Sequence, residues 1–167
     1  QDAALFRAAR EHIMQLGSDI TEDQLRDLYA FLMNDCIRRM NTGETAMRPI
    51  LFTLYKSQLS QGILINKSIL NPSDYKNIVS LALRMDQLDW AERFIYDYQN
   101  YLPEQSRENA FTYHLAVIQF QRARYSECLR LLRDQEFEDP FYQLGARTML
   151  LKIYMEMEDF EALYYYL

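Results

Sequence analysis

Apolar residues recur along this chain at helical spacing almost without a break. Leu25, Leu28, Tyr29, Leu32 and Cys36 fall at i, i+3, i+4, i+7 and i+11, one stripe of one helix. Thr21 stands before that stripe with Gln24 three residues on. This spacing predicts a capping box, in which the hydroxyl takes an orphan amide and the carboxamide reaches back. The helix is expected over Glu22 to Met40, with Gly43 as its stop signal. A weaker stripe, Phe6, Ala9, Ile13 and Leu16, predicts a helix over 3–16 closed by Gly17. Met47, Leu51, Leu54 and Tyr55 predict another over 45–59, with Pro49 in its first turn, where a missing N–H costs little. Residues 63–70 hold the apolar run Ile63, Leu64 and Ile65. They read as an irregular connection packed on the core, because a lone strand has nothing to pair with.

From Asn71 the pattern sharpens. Asn is a good N-cap and Pro72 a good first helical residue. Ile78, Leu81, Ala82 and Met85 form one stripe. Ala91, Phe94, Ile95, Tyr98 and Leu102 form a second, which ends at Pro103. These two stripes predict a helical hairpin, and the hairpin recurs. Second helices open at Leu88, Tyr125 and Phe160, 37 and 35 residues apart, and Pro103 and Pro140 are also 37 apart. A two-helix hairpin cannot bury both its faces alone, so stacking the next one makes the core continuous. Phe111, Tyr113, Leu115, Ala116, Val117, Ile118 and Phe120 leave the helix between them apolar nearly all round, which places it between neighbours.

Those features carry a resemblance. The aromatic or apolar opening of each second helix, the small residue three later (Ala91, Cys128), and Pro103 and Pro140 resemble the tetratricopeptide repeat family, whose unit is close to 34 residues. The resemblance covers about 71–167 and, more loosely, the N-terminal hairpins. The family's Trp, Leu-Gly and Tyr positions read Tyr75, Ile78-Val79 and Ala82 in the first unit, and only Leu150 and Tyr154 fit in the last. The chain is similar to bacterial proteins built of such degenerate repeats. The resemblance implies an all-α fold, a right-handed α-α superhelix of about four helical hairpins. It forms one domain over 1–167, with degenerate hairpins over 1–70 and clearer repeats over 71–167. The first residue is Gln1, and the last residues continue an apolar helical pattern, so the chain reads as a fragment of a longer one.

Composition narrows what such a fold can do. Four Gly are too few for the turns of a β-sandwich or barrel. A net charge of −6 argues against nucleic acid, which selects a basic face. No run of 18 apolar residues and no signal peptide is present, which argues against a membrane. Cys36 and Cys128 lie inside apolar stripes and read as free buried thiols, fitting a reducing, cytoplasmic compartment.

Candidate chemistry is sparse. His12 and His114 have no HExxH or CxxC around them, so no metal ligands and no cofactor are expected. His12 reads as a solvated helix residue, and His114 as plain helix surface or a groove residue. The acidic stretch Asp134, Glu136, Glu138 and Asp139 lacks the spacing and central Gly of a calcium loop; it reads as a solvated connection with Asp139 capping the helix at Pro140. Arg122, Arg124, Arg130 and Arg133 read as partners for the chain's own carboxylates, with an acidic partner site as the alternative. The run Tyr164, Tyr165 and Tyr166 reads as surface a following helix would cover, or else as a contact patch.

In the resembled family the first helices of successive pairs line a concave groove that holds a peptide or a partner helix. Carried onto this sequence, that groove is lined by Lys76, Ser80, Leu83 and Arg84 from the first pair. Tyr113, His114, Val117 and Gln121 come from the second, and Thr148 and Lys152 from the third. Some relatives grip a terminal carboxylate with Lys, Asn and Arg. Lys76 stands at one such position, but Ser80 replaces Asn, and Tyr113, His114 and Thr148 break the rest, so that clamp is not implied. The expected function is a protein-interaction scaffold without enzymatic activity. The alternative is a structural spacer or self-associating dimerisation arm of a larger protein.

Overall fold

The computed structural model describes residues 21–166. The helix expected over 3–16, with His12, lies outside the described residues. The chain divides into two compact units at Asn66/Lys67. In the first, α1 (Glu22–Asn41) packs on α2 (Met47–Ser60). Both arms of the capping box form: Gln24 N donates to Thr21 Oγ1 at 3.3 Å, and Thr21 N donates to Gln24 Oε1 at 2.9 Å. Tyr29, Leu32, Met33 and Cys36 bury against a face holding Leu51, Phe52, Leu54 and Tyr55. The early part of α1 meets the late part of α2, where the Tyr29 hydroxyl lies 2.7 Å from Ser57 Oγ, so the pair is antiparallel.

The 63–70 segment departs from expectation. Ile65–Asn66 (β1) and Ile69–Leu70 (β2) pair as a two-stranded hairpin. Lys67 (φ 48°) and Ser68 (φ 64°) both take positive φ, the requirement of a type I′ turn. Of the apolar run only Ile65 enters the strand, while Ile63 and Leu64 lie in the turn before it and Ile63 is buried.

From Pro72 on, the second unit is built of helices: α3 (Pro72–Arg84), α4 (Leu88–Tyr98) with a 3-10 turn at Gln99–Tyr101, α5 (Glu104–Gln121), α6 (Tyr125–Leu132), α7 (Pro140–Glu156) and α8 (Phe160–Tyr166). Asn71 caps α3 through Ser73 N at 2.8 Å, and Asp139 caps α7 through Phe141 N at 2.7 Å; each cap is followed by Pro at the first helical position. The all-round apolar helix is α5, and it packs against α3, α4, α6 and α7. Beyond it, Cys128 and Leu132 of α6 and Met149, Leu150 and Ile153 of α7 close one core with Ala116. Among the described residues, no helix is long and apolar enough to cross a membrane.

One turn recurs three times in this unit. Asp86, Ala123 and Glu158 sit just before α4, α6 and α8 at φ 56°, 55° and 55°. After each, the next amide donates five residues back: Gln87 to Ala82, Arg124 to Gln119 and Asp159 to Tyr154, all at 2.9 Å. This is the Schellman ending of a helix. Gly43 and Gly62 end α1 and α2 the same way, with Glu44 donating to Arg39 and Ile63 to Gln58, each at 3.0 Å. The three later turns use residues with a Cβ, and a left-handed backbone costs such a residue roughly 1–2 kcal/mol. Replacing Ala123 by Gly should therefore raise stability by about 0.5–1 kcal/mol, after the greater entropy Gly loses on folding. Urea unfolding should show a higher midpoint at unchanged slope; a lower midpoint would mean the turn carries no strain.

Candidate functional site

The first helices of the second unit, α3, α5 and α7, come together at their N-terminal ends. A cleft of about 200 Å³ opens there. Its lining falls in triplets spaced 33 residues apart: Pro72, Gln105 and Glu138; Ser73, Ser106 and Asp139; Lys76, Asn109 and Tyr142. Each triplet takes one residue from α3, one from α5 and one from α7 or the residues leading into it. Asn109 fixes one wall. With its side-chain amide assigned in the orientation that satisfies both ends, its nitrogen meets the Glu136 carbonyl at 3.1 Å and its oxygen accepts from Glu138 N at 3.0 Å, which ties the 133–139 connection to α5. Within the acidic stretch, Asp134, Glu136, Glu138 and Asp139 are all exposed, and Asp139 serves as the cap.

An aromatic cluster underlies this cleft. Tyr142 is buried and its ring lies 4.8 Å from Tyr113 and 5.4 Å from His114, while Tyr75 lies 5.5 Å from His114 on the other side. Phe141 is half exposed at the rim, 5.9 Å from Tyr113, and the Lys76 ammonium stands 4.5 Å above its ring. Gly145 admits Tyr113: a Cβ there would come within 2.7 Å of Tyr113 Cζ.

Of the residues expected to line a groove, the structure brings two together. Lys76 and Tyr113 meet at Phe141. Val117 packs on the α6–α7 core. Ser80 and Leu83 are half-buried on α3; Arg84, Gln121, Thr148 and Lys152 are exposed. His114 corrects both readings made of it, because it is core and neither plain surface nor groove lining. It is 1 % exposed, its Nδ1–H donates to Ala110 O at 2.7 Å, and its Nε2 is buried with no hydrogen-bond partner. The i−4 carbonyl satisfies one nitrogen, and three tyrosine rings supply the packing that holds the ring inside. Sequence reasoning passed over Gln105, Ser106, Phe141 and Gly145; the 33-residue recurrence of the first-helix positions was the signal that could have found the first two.

The arrangement offers binding groups and little for covalent chemistry. Burial pushes the Cys36 thiol up to about 11 and the Cys128 thiol up to about 12, so both stay protonated at neutral pH. Cys128 Sγ donates to Ala116 O at 3.3 Å. Arg122 holds Asp89 at 2.6 Å and Glu92 at 2.9 Å, and Arg130 holds Glu127 at 3.0 Å, so these two arginines pair with the chain's own carboxylates. Among the described residues, no three His, Cys, Asp or Glu side chains converge as a metal site would need.

Two outcomes follow. Gly145→Ala should destabilise by about 1–2 kcal/mol despite its better helix propensity, since Tyr113 must move. In a Tyr113→Ala background the same change should stabilise by about 0.5–1 kcal/mol. Thermal unfolding of the four proteins checks this; no sign change would remove the contact from the account. His114 gives a pH test. Desolvation, with Lys76 adding to it, lowers its pKa to about 4 against the opposing bond to Ala110. The unfolded imidazole titrates near 6.5, so between there and about 4 the unfolded chain takes up the proton that the folded chain refuses. Stability is full above about pH 6.5 and drops as pH falls toward 4, by up to about 3 kcal/mol. His114→Phe should flatten that acid limb in urea titrations; an unaltered limb would place the acid sensitivity elsewhere. No family model, curated protein or solved structure matches this chain.

Proposed function

We propose that this chain is a tetratricopeptide-like α-solenoid module, a non-enzymatic scaffold. It holds a peptide or partner helix on the face shared by α3, α5 and α7. The observation that carries the reading is the cleft whose lining recurs in three triplets 33 residues apart, because only a repeated unit presents equivalent positions of successive first helices to one space. The recurring turn at Asp86, Ala123 and Glu158 adds support, since the same geometry re-aims the chain between the helices of each pair. The groups in the cleft can bind: one ammonium, hydroxyls, amides and carboxylates around a tyrosine floor. The two buried thiols suit a reducing, cytoplasmic setting. A second reading, self-association as a dimerisation arm, is favoured by Phe160 and Tyr164, which are 67 % and 79 % exposed on one side of α8.

A photo-crosslinking side chain placed singly at Gln121, Thr148, Glu127 or Tyr164 tests both in the native host. The scaffold reading expects the same partner adduct at Gln121 and Thr148 and none at Glu127. The arm reading expects dimer adducts concentrated at Tyr164. Adducts distributed evenly over all four positions would overturn both.

A further inference from the structure

α7 buries one face and exposes another that is also apolar. Tyr142, Ala146, Met149, Leu150 and Ile153 turn into the core. On the opposite side Phe141, Leu144 and Met155 are 48 %, 69 % and 61 % exposed, with Thr148 and Lys152 between them. At helical rise that stripe runs about 21 Å, enough for three to four turns of a docked helix. Phe141, Leu144 and Met155 stand at i, i+3 and i+14 on one side of the helix and form an apolar stripe interrupted only by Thr148 and Lys152.

Charge says what covers it. The chain carries a net charge of −6. Yet the cations along this stripe are Lys76 over Phe141, Arg147 beside Leu144, and Lys152, and none of the three forms an ion pair within the described residues. The nearest carboxylates lie at the two ends of α7: Glu138 and the cap Asp139, which share the cleft with Lys76, and Glu156, the last residue. An apolar stripe flanked by unspent cations matches an apolar stripe flanked by carboxylates. A negatively charged bilayer would meet the same three cations, but the acidic remainder of the chain would be repelled from it.

We infer that the exposed face of α7, with Lys76 at its edge, docks an acidic amphipathic segment of a protein partner, apolar at i, i+3 or i+4, and i+7, with Glu or Asp alongside. This rests on the scaffold reading above and adds the partner's chemistry to it.

A display library of random 16-residue peptides, selected on the whole chain, tests it. Enriched peptides should be net negative with helical apolar spacing. Their affinity should fall at least tenfold on Arg147→Glu/Lys152→Glu, and also on Leu144→Glu, and should weaken with added salt. Arg147→Gln/Lys152→Gln, which keeps the helix surface neutral, should give an intermediate loss. Enrichment of basic or uncharged peptides would overturn the inference, as would no enrichment or affinities indifferent to the charge reversal. Co-sedimentation with phosphatidylserine vesicles, lost in the double reversal, would transfer the face to a membrane and also overturn it. So would a concentration-dependent dimer in light scattering that Leu144→Glu abolishes. The two readings fail separately. Crosslinks persisting at Thr148 with charge-blind peptide selection sink the acidic partner alone, whereas acidic peptides without those crosslinks sink the scaffold.

Discussion

The second unit depends on the burial of one helix on most of its sides. α5 carries apolar residues around most of its circumference, and Ala110, Leu115, Ala116 and Ile118 are each less than a tenth exposed. Each buried Leu or Ile of this kind contributes about 1.5–3 kcal/mol, which a single neighbouring helix could not supply on all faces at once. So α5 recruits α3 and α4 on one flank and α6 and α7 on the other. That arrangement also decides what is left over. Tyr113 and Val117 are only half-buried, and Tyr113 turns to the side where α3 and α7 approach.

The turns set how those helices meet. Each second helix starts two residues after a left-handed residue, and the backward amide bond beside it closes the preceding helix. Polar ties refine the register rather than provide the stability. Arg122 bridges to Asp89 and Glu92, 33 and 30 residues back, and a surface pair of that kind contributes at most about 1 kcal/mol. Cys128 likewise behaves as a small apolar residue that spends its proton on the Ala116 carbonyl.

How much of this was legible depended on range. Local signals read directly: the Thr21–Gln24 box, the Asn71 and Asp139 caps, and the openings at Leu88, Tyr125 and Phe160 each lie within a few residues of their cause. The hairpin at 65–70 was obscured because Lys67-Ser68 lacks the Gly or Asn that advertises a type I′ turn. His114 was misplaced because a helical stripe gives an angle but not a depth; the residue lies next to Tyr113, and only the closing of Tyr75 and Tyr142 around it makes it core. The cleft was half visible. Lys76 follows from the first-helix register, while Phe141 and Gly145 matter through contacts with α3 and α5 that no local spacing encodes.

The hold of Asn109 on the 133–139 connection has an entropic side. A surface connection between helices would ordinarily fluctuate and have to be frozen by whatever settles against it. Here the carbonyl of Glu136 and the amide of Glu138 are already claimed by one side chain. Anything that settled in the cleft would meet backbone already ordered by folding, so little of the entropy lost on encounter would come from that wall. A wall of that kind is a fixed template rather than one that has to be shaped on contact.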